Sequence, residues 1–416
     1  MVTTVTIMAI TMIIEREEIN IARKASDRLL IYGRRKVGKT FLSRNYLDHD
    51  IYVFVKRGGG LLIEDGTRRN IDSYDQFKDM LELWIDSGKK IIVDEFQRLP
   101  DEFLDFLQVI GDKGKLILTG SSFHTIKRIL APKSPIMGFY SDLKLSLLHP
   151  GDIFRGLKEE MDPVQAYSLS PYLRDPWTLQ FYRKDQTNIT DIILLSRGVL
   201  VPLIGEVFLE EEKTLSRTYE GIIRSLSLGR WKLNSVAGLL SSRRIIEKND
   251  PHIIRPYFNT MEQMDLVQKI PIYRKKEFMY QVRSPIMELG FMLDEKFNIF
   301  QQDIKRSIIE KEISNRVPKQ IERFTGELMA ELLGGAYNYF YSREFDIDFI
   351  ITRKNKTVAV GEVKWKGGIG SKDISLFKER VRHFKCRKFI FSKTHFEDDK
   401  IISVTPENIL DLQDSS

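Results

Sequence analysis

The sequence predicts a multidomain α/β protein whose first third folds as a doubly wound, parallel sheet. The chain has 416 residues, which is more than a single hydrophobic core organises, so three or four domains are expected. In the first third, short apolar strands alternate with helical patterns at the spacing of βαβ units. In the last quarter, two strand-like runs over residues 345–366 carry acidic residues and surround a short polar turn.

A glycine-rich loop follows the first of these strands. The run RLLIYGRRKVGKTFLSRNYL, residues 28–47, holds G-x4-G-K-T between an apolar strand and a helical pattern, which is the context that a P-loop requires. Its backbone amides and the positive end of the next helix suit phosphate groups. Lys39 is expected to reach the β- and γ-phosphates, and Thr40 to ligate Mg²⁺. The predicted nucleotide-binding residues here are Gly33, Arg34, Arg35, Lys36, Val37, Gly38, Lys39, Thr40 and Phe41.

Two acidic residues end a later strand of the same sheet. KKIIVDEFQRLP, residues 89–100, places Asp94 and Glu95 directly after the apolar run IIV, where a parallel sheet presents side chains to a ligand. Asp94 is expected to hold the Mg²⁺, and Glu95 to orient and deprotonate the attacking water. An acidic helix cap is the structural alternative. In the next strand, KLILTGSS, either Thr119 or Ser121 is expected to sense the γ-phosphate, and we choose Thr119.

Together, IYGRRKVGKT, IIVDEFQRLP and LILTGSS resemble the archaeal ATPase family, a branch of the AAA-related signal-transduction ATPases with numerous domains. The resemblance implies a molecular switch that hydrolyses ATP with Mg²⁺, and a helical lid and a winged helix behind the core. It also implies a nucleotide-dependent oligomer. Phe139 follows Gly138 where relatives often carry arginine, so no arginine sensor of the γ-phosphate is assigned.

The middle of the chain is basic. Three helical patterns are followed by QKIPIYRKKEFMYQV, which alternates like a hairpin, and this order predicts a winged helix. Residues 221–283 contain twelve Lys or Arg against five Asp or Glu, an excess of seven that equals the net charge of the whole chain, +7. Clustered positive charge of this kind is typical of DNA-backbone binding. The alternative is a packing module that relays the nucleotide state.

The two acidic runs near the C-terminus predict a hairpin. A three-residue loop at residues 354–356 would set Asp348 opposite Glu362 and place Lys364 on the same face. Facing carboxylates destabilise a sheet unless a hard divalent cation lies between them, and a nearby lysine can activate a water. The sequence therefore predicts a Mg²⁺ or Mn²⁺ site with Asp348 and Glu362 as ligands and with catalytic roles for Asp348, Glu362 and Lys364.

A helix before this hairpin offers one more carboxylate. In QIERFTGELMAELL, helical geometry favours Glu331, whereas the order F-T-G-E-L favours Glu327, which we choose as a further catalytic residue. The whole segment resembles the PD-(D/E)xK nuclease superfamily, and specifically a domain of unknown function that trails many archaeal ATPases. This resemblance implies a restriction-endonuclease-like α/β domain, although Ile347 stands where the proline of the motif name is expected. A simple cross-strand ion pair between Asp346 and Lys364 is the alternative.

These observations define an expected organisation. One cysteine, Cys386, fits a reducing compartment, the cytoplasm; no stretch is judged long and apolar enough to cross a membrane. The expected function is an ATP-hydrolysing switch coupled to a DNA-binding, metal-dependent nuclease domain, and the alternative is a regulatory ATPase whose last domain only binds DNA or a protein. The predicted boundaries are 1–15 for an N-terminal extension, 16–150 for a P-loop ATPase core, 151–220 for a helical lid, 221–300 for a winged helix and 301–416 for the nuclease-like domain.

Overall fold

The computed structural model describes most of the chain. The described residues are 12–25, 27–132, 134, 136–184, 188–211, 213, 215–365 and 368–415. The extension predicted over residues 1–15 therefore lies largely outside them.

The first unit contains a parallel-rich sheet flanked by helices. Its elements are α1 (Glu17–Lys24), β1 (Arg28–Tyr32), α2 (Lys39–Tyr46), β2 (Ile51–Val55), β3 (Leu61–Glu64), β4 (Arg68–Ile71), α3 (Tyr74–Asp86), β5 (Lys90–Asp94), α4 (Glu102–Ile110), β6 (Lys115–Gly120), α5 (Phe123–Ile129) and β7 (Ser141–Lys144). The strand order in the described sheet is β4-β3-β2-β5-β6-β1-β7. Strands β2, β5, β6, β1 and β7 run parallel, while β3 and β4 extend one edge as antiparallel strands.

Apolar strand residues explain why this sheet is covered on both faces. In β5, Ile91, Ile92 and Val93 are fully buried and alternate between the two faces, as expected for a parallel strand between helices. The carboxyl ends of β1, β5 and β6 lie side by side, because β6 pairs with both of the others. The predicted α/β sheet of the first third is confirmed.

A helical region follows. Its elements are α6 (Pro150–Lys158), α7 (Pro163–Leu173), α8 (Ile189–Glu210), α9 (Arg217–Ser227), α10 (Leu233–Ser242), α11 (Pro251–Gln263), the hairpin strands β8 (Val267–Pro271) and β9 (Phe278–Val282), and α12 (Pro285–Phe297). The order α9, α10, α11, β8, β9 is the order of the predicted winged helix. We call the hairpin β8–β9 and its turn the wing.

Helix α8 changes one expectation. Among the described residues, it is the helix that is long and apolar enough to cross a membrane by length and composition. The prediction that no stretch has these properties is therefore wrong. A buried core helix passes the same test, and Ile192, Leu200 and Ile204 of α8 are fully or almost fully buried against neighbouring helices.

The last unit is a second sheet between helices. Its elements are α13 (Arg306–Leu332), β10 (Ala336–Tyr341), β11 (Asp346–Arg353), β12 (Lys356–Lys364), α14 (Ser371–Arg380), β13 (Arg387–Ser392) and β14 (Ile402–Val404). The described strands have the order β10-β11-β12-β13-β14. Strands β10, β11 and β12 are antiparallel, and β13 and β14 add in parallel. Phe324 of α13 packs on one face and Phe377 of α14 on the other, so helices cover both faces of this sheet.

The hairpin β11–β12 reaches the predicted register by another route. Its turn contains two residues, Lys354 and Asn355, both with positive φ, at 49° and 63°, where a three-residue loop was expected. Such a turn favours tight hairpins. An irregularity between Ile351 and Thr352 then shifts the register by one residue, so that Phe349 pairs with Gly361. Continued by one residue, this register sets Asp348 opposite Glu362.

One hydrophobic core joins the helical region to the second sheet. Tyr167 of α7 is fully buried, with its ring centroid 4.5 Å from Phe391 and 5.1 Å from Phe324. Trp365, whose ring stacks on Phe391, belongs to the same cluster. The α13 face of the second sheet therefore shares its core with the helical region, whereas the α14 face packs a cluster of its own around Phe377.

Candidate nucleotide-binding and acidic sites

The glycine-rich loop has the backbone that its sequence predicts. Gly38 has φ of 95° and Gly33 has φ of 154°, values that side chains rarely allow. A Cβ atom at Gly33 would lie 2.0 Å from the carbonyl oxygen of Leu145, so no larger residue fits there. The loop leads directly into α2, whose N-terminus carries Lys39 and Thr40.

Lys39 is held inside its own loop. Its ammonium group donates to the carbonyl oxygens of Gly33 at 2.9 Å and Arg34 at 3.2 Å. Burial lowers the pKa of Lys39, and the carboxylates of Glu95 and Glu210 oppose this change. A triphosphate would supply the opposite charge that this buried cation now receives only from a distance.

Asp94 is the centre of a buried hydrogen-bond network. It is completely buried, and it accepts hydrogen bonds from the hydroxyl groups of Thr40 at 2.8 Å and Tyr52 at 2.5 Å, and from Thr119. Oxygen ligands from Thr40 and Asp94 are the type that Mg²⁺ prefers, so these residues fit the ion. Tyr52 was missed in the sequence because its role depends on β2 lying beside β5.

Glu95 lies beside Asp94 in a different environment. Its backbone is left-handed, with φ of 60°, and β5 ends at the preceding residue, Asp94. Its carboxylate accepts from Gln97 at 2.8 Å and from Ser121 at 3.1 Å, and it is 3.0 Å from Arg98. The two residues considered for γ-phosphate sensing therefore have different partners. The hydroxyl group of Thr119 contacts Asp94, and that of Ser121 contacts Glu95.

The arginines of the loop contact the helical region. Arg34 donates to Asp175 at 2.6 Å, and both side chains are 1% exposed. Arg35 lies 2.8 Å from Glu206 and 3.2 Å from Glu210 of α8. These partners come from segments that lie far away in the sequence, and nothing in the motif indicates them.

Other cations converge on the same α8 carboxylates. Arg57 lies 3.5 Å from Glu206, and Arg98 lies 4.0 Å from Glu210. Phe41, another predicted nucleotide contact, is 46% exposed. Lys36 has φ of 68°, and Val37 is fully buried, so these two residues shape the loop.

The second site lies on the hairpin β11–β12. Burial raises the pKa of Asp348 to about 7, with a further contribution from the charge of Glu322, while Lys319 and a hydrogen bond from the Val363 amide at 2.8 Å oppose the change. Glu362 is buried and lies 2.6 Å from Lys364 and 3.3 Å from Arg380 of α14. The alternative pair of Asp346 with Lys364 does not form, since Asp346 accepts from Tyr339 at 3.1 Å.

Glu327 was placed in this acidic site by sequence, and the structure gives it other partners. It lies 2.6 Å from Arg174 and 3.2 Å from Arg323. Burial opposes ionisation, but these arginines hold the pKa of Glu327 well below its usual range. The other candidate, Glu331, accepts from the Gly151 amide at 3.2 Å. Both therefore serve the junction with the helical region.

Glu322 is the carboxylate of α13 whose charge acts on Asp348. It lies 2.6 Å from Lys319 on the same helix. Burial alone would lower the pKa of Lys319, but Glu322 and Asp348 raise it above its usual value. Sequence reasoning missed Glu322 because α13 is buried on several faces, so its apolar pattern does not mark one side.

The acidic site has the oxygen donors of a hard cation, but cations of the chain hold them. In the part of the chain that the structure describes, no group of three or more His, Cys, Asp or Glu residues is arranged to bind a metal ion. Lys364 and Arg380 neutralise Glu362, and Lys319 neutralises Glu322. A divalent ion would therefore have to displace these contacts.

A P-loop beside a strand-end Asp-Glu pair, on a parallel-rich α/β sheet, defines an ATPase of the P-loop NTP hydrolase class. Comparison with known proteins agrees: residues 26–146 match the family described as AAA domain. An uncharacterized protein of Methanocaldococcus jannaschii is 23% identical in an alignment that covers 81% of this chain and 82% of that protein.

Two solved structures align at low similarity. The Aeropyrum pernix ORC2 protein, in ADPNP–ADP complexes, gives a TM-score of 0.38 at 12% identity over 71% of this chain and 91% of that chain. The Aeropyrum pernix ORC1 protein in complex with DNA gives a TM-score of 0.31 at 13% identity over 66% and 88%. TM-scores of this size do not establish a common arrangement of domains.

Proposed function

We propose that the protein is an ATP-driven switch whose nucleotide site controls the contact between the AAA core and the helical region. The observation that carries this proposal is the pairing of two P-loop arginines, Arg34 and Arg35, with Asp175 and Glu206. A phosphate group bound in the loop competes for the same guanidinium groups. Nucleotide state and the position of the helical region are therefore linked.

Each residue of the nucleotide site has a separate role in this proposal. Lys39 binds the β- and γ-phosphates, and Gly33 to Phe41 wrap the phosphate chain with backbone amides. Thr40 and Asp94 hold Mg²⁺, which supplies charge neutralisation on the phosphates. Glu95 accepts a proton from the attacking water. Thr119 keeps Asp94 in place, and Ser121 orients Glu95 through the contact at 3.1 Å.

A nucleotide-binding test separates these roles. Lys39→Ala is expected to abolish ATP binding, while Glu95→Gln is expected to bind ATP and to lose hydrolysis by about 100-fold or more. Binding is measured by calorimetry and turnover by phosphate release. Equal hydrolysis in both variants and the unchanged protein would overturn the assignment of the site.

DNA is the partner that the basic middle segment supports best. The helices α9–α11 and the wing form, in this proposal, a winged helix that binds the DNA backbone through part of the twelve Lys and Arg in residues 221–283. A cytoplasmic location and a nucleotide-dependent oligomer complete the proposed switch. Sedimentation with and without ATP tests the oligomer.

Metal-dependent cleavage of a phosphodiester is the second candidate function. It is favoured by the buried Asp348, whose pKa is raised to about 7, next to Glu362 and Lys364. Burial of an ionised carboxylate costs free energy, and a bound cation would offset this cost. Asp348 and Glu362 would hold Mg²⁺ or Mn²⁺, and Lys364 would leave Glu362 and orient a water.

The full-length chain is needed for the cleavage test, because residues 301–416 share their core with α7. Nicking of plasmid DNA with Mg²⁺ or Mn²⁺, lost in Asp348→Ala and Glu362→Ala, supports the nuclease. Nucleotide-dependent DNA binding without cleavage under either metal supports the alternative, a regulatory ATPase whose last domain only binds DNA or a protein.

A further inference from the structure

A cavity of about 360 Å³ lies between the wing and the second sheet. It is lined by Tyr273, Arg274, Thr357, His383, Phe384 and Lys385. Three of these residues are basic, two are aromatic and none is acidic. This composition suits a ligand that combines an anion with a flat ring.

The walls of the cavity are fixed by contacts between the wing and β10. The amide of Tyr273 donates to the carbonyl oxygen of Tyr339 at 2.8 Å, and Lys275 donates to the carbonyl oxygen of Tyr341 at 3.0 Å. The hydroxyl groups of Tyr273 and Thr357 lie 2.7 Å apart. The wing tip is thus part of the edge of the second sheet.

Three segments that meet at this cavity carry an unusual excess of positive charge. Residues 271–277, 353–357 and 382–388 contain ten Lys or Arg and one acid, Glu277. Glu277 accepts a hydrogen bond from Tyr341 at 2.5 Å. None of the ten cations has an ion-pair partner among the described residues. They are Arg274, Lys275, Lys276, Arg353, Lys354, Lys356, Arg382, Lys385, Arg387 and Lys388.

By contrast, α11, the helix expected to read DNA in a winged helix, is nearly neutral. Its sequence PHIIRPYFNTMEQ has one arginine, Arg255, and one glutamate, Glu262. Positive charge attracts the phosphate backbone, and in this region it is concentrated at the wing tip and the neighbouring sheet edge. The ligand is therefore expected at the cavity and not along α11.

The two aromatic rings at the cavity indicate which chemical group accompanies the phosphate in the ligand. The rings of Tyr273 and Phe384 have centroids 5.8 Å apart at an angle of 42°, and Phe384 is partly exposed in the cavity. A base can stack on such a ring only when it is unpaired. Duplex DNA would offer its phosphates but not its base faces.

We propose that this cavity binds an unpaired nucleotide of a single-stranded nucleic acid, with its base against Phe384 and its phosphates against Arg274 and Lys385. The other unpaired cations bind neighbouring phosphates along the strand. This inference rests on the DNA-binding part of the proposed function and names its site and the form of its ligand.

Fluorescence anisotropy with a labelled oligothymidine of about 20 nucleotides tests the site. The full-length protein is used, with no ATP or ADP added. Arg274→Ala/Lys385→Ala is expected to weaken binding at least tenfold and to reduce the salt slope of log Kd by about 1.4, since each phosphate contact to a single strand contributes about 0.7. Phe384→Leu, which keeps an apolar side chain, is expected to weaken binding about fivefold or more. Thermal melting checks that these variants fold.

The matched control is Lys113→Ala/Lys127→Ala, which removes two exposed cations from the AAA core. If this control loses as much affinity as Arg274→Ala/Lys385→Ala, the binding is unspecific attraction and the cavity assignment fails. If the oligonucleotide binds tightly and both cavity variants match the unchanged protein, DNA binding stands but lies elsewhere. If no nucleic acid binds, the inference and the DNA-binding part of the proposed function both fail.

Two competitors distinguish the source of the nucleotide. Unlabelled duplex of the same length is expected to compete at least fivefold less well than the single strand. Thymidine monophosphate is expected to displace the oligonucleotide only at concentrations at least a hundredfold higher, because it lacks the neighbouring phosphates. If the monophosphate competes at the same concentration as the oligonucleotide, the ligand is a free nucleotide and the proposed binding of a strand is wrong.

Discussion

Arg34 of the P-loop and Asp175 of the helical region form an ion pair of 2.6 Å in which both side chains are 1% exposed. Two nitrogen atoms of Arg34 and one oxygen atom of Asp175 find no hydrogen-bond partner among the described residues. A buried pair that is only partly satisfied contributes little net stability, yet it is costly to break on one side. The pair is thus suited to a contact that changes with nucleotide state.

Removing one partner of this pair tests its role. Asp175→Ala is expected to lower the free energy of unfolding by about 3–5 kcal/mol, because Arg34 is left buried without a counter-charge. The double variant Arg34→Met/Asp175→Leu is expected to recover most of this loss. Urea denaturation measures both. A single variant within about 1 kcal/mol of the unchanged protein would contradict a buried pair.

The carboxylates of α8 are expected to oppose nucleotide binding. Phosphate must compete with Glu206 and Glu210 for Arg35, which lies 2.8 and 3.2 Å from them. These groups are partly exposed, so Glu206→Gln/Glu210→Gln is expected to tighten ATP binding by only about two- to fivefold. Calorimetry measures the affinity, and the control is Glu160→Gln, which removes one partner of the exposed ion pair with Lys184. Weaker ATP binding in the double variant would show that the carboxylates support the site.

Local sequence accounts for the P-loop and fails for its partners. Gly33, Lys39 and Thr40 are contiguous or nearly so, and their backbone requirements are visible in the residue types themselves. Tyr52 and Asp175 reach the site only because β2 lies beside β5 and because α7 ends near the loop. A tyrosine or an aspartate carries no local signal of such a tertiary contact.

The carboxylates of α13 can be separated by experiment. Glu322→Gln is expected to weaken Mn²⁺ binding about tenfold, because it removes a negative charge that acts on Asp348. Stability is expected to stay nearly unchanged, because the ion pair of Glu322 with Lys319 is partly exposed. Glu327→Gln is expected to lower stability by about 3–5 kcal/mol, because it leaves the buried Arg174 without its ion-pair partner. Mn²⁺ titration and urea denaturation give the two readouts. The reverse pattern would restore Glu327 to the metal site.

The acidic hairpin shows how a correct pairing can rest on an incorrect turn. A three-residue loop at residues 354–356 predicts that Asp348 lies opposite Glu362. The turn has only two residues, and the irregularity between Ile351 and Thr352 shifts the strand register by the one residue that this arrangement needs. Alternation of apolar residues fixes which side chains face the core. It does not show where an extra residue is accommodated.

Tyr167 is expected to connect the stability of the helical region to that of the second sheet. Tyr167→Ala removes a ring that contacts Phe324 and Phe391, and it is expected to lower stability by about 3–5 kcal/mol. Tyr167→Phe loses only the contact with Thr325 at 2.9 Å and is expected to lower it by about 1 kcal/mol. A fragment of residues 301–416 is expected to show no cooperative thermal transition. Cooperative melting of that fragment would contradict a shared core.

His149 connects α1 to the helical region in a pH-dependent way. Its ring nitrogens lie 3.4 Å from Glu18 and 3.9 Å from Glu331. The hydrogen bond with Glu18 raises the pKa of His149, and burial opposes this. Burial raises the pKa of the neighbouring Asp152 and of Glu331, whereas for Glu18 hydrogen bonds from His149 and Arg16 overcome burial and lower the pKa to about 2.

A histidine whose folded pKa is raised stabilises the fold below its unfolded pKa of about 6.5, and this contribution is lost as the pH rises through the folded value. His149→Gln is therefore expected to lower the melting temperature more at pH 6 than at pH 9. In a Glu18→Gln background the same substitution is expected to lose most of this pH dependence, because the main partner of the imidazolium is gone. An effect of His149→Gln that is equal at both pH values would show that His149 acts by packing alone.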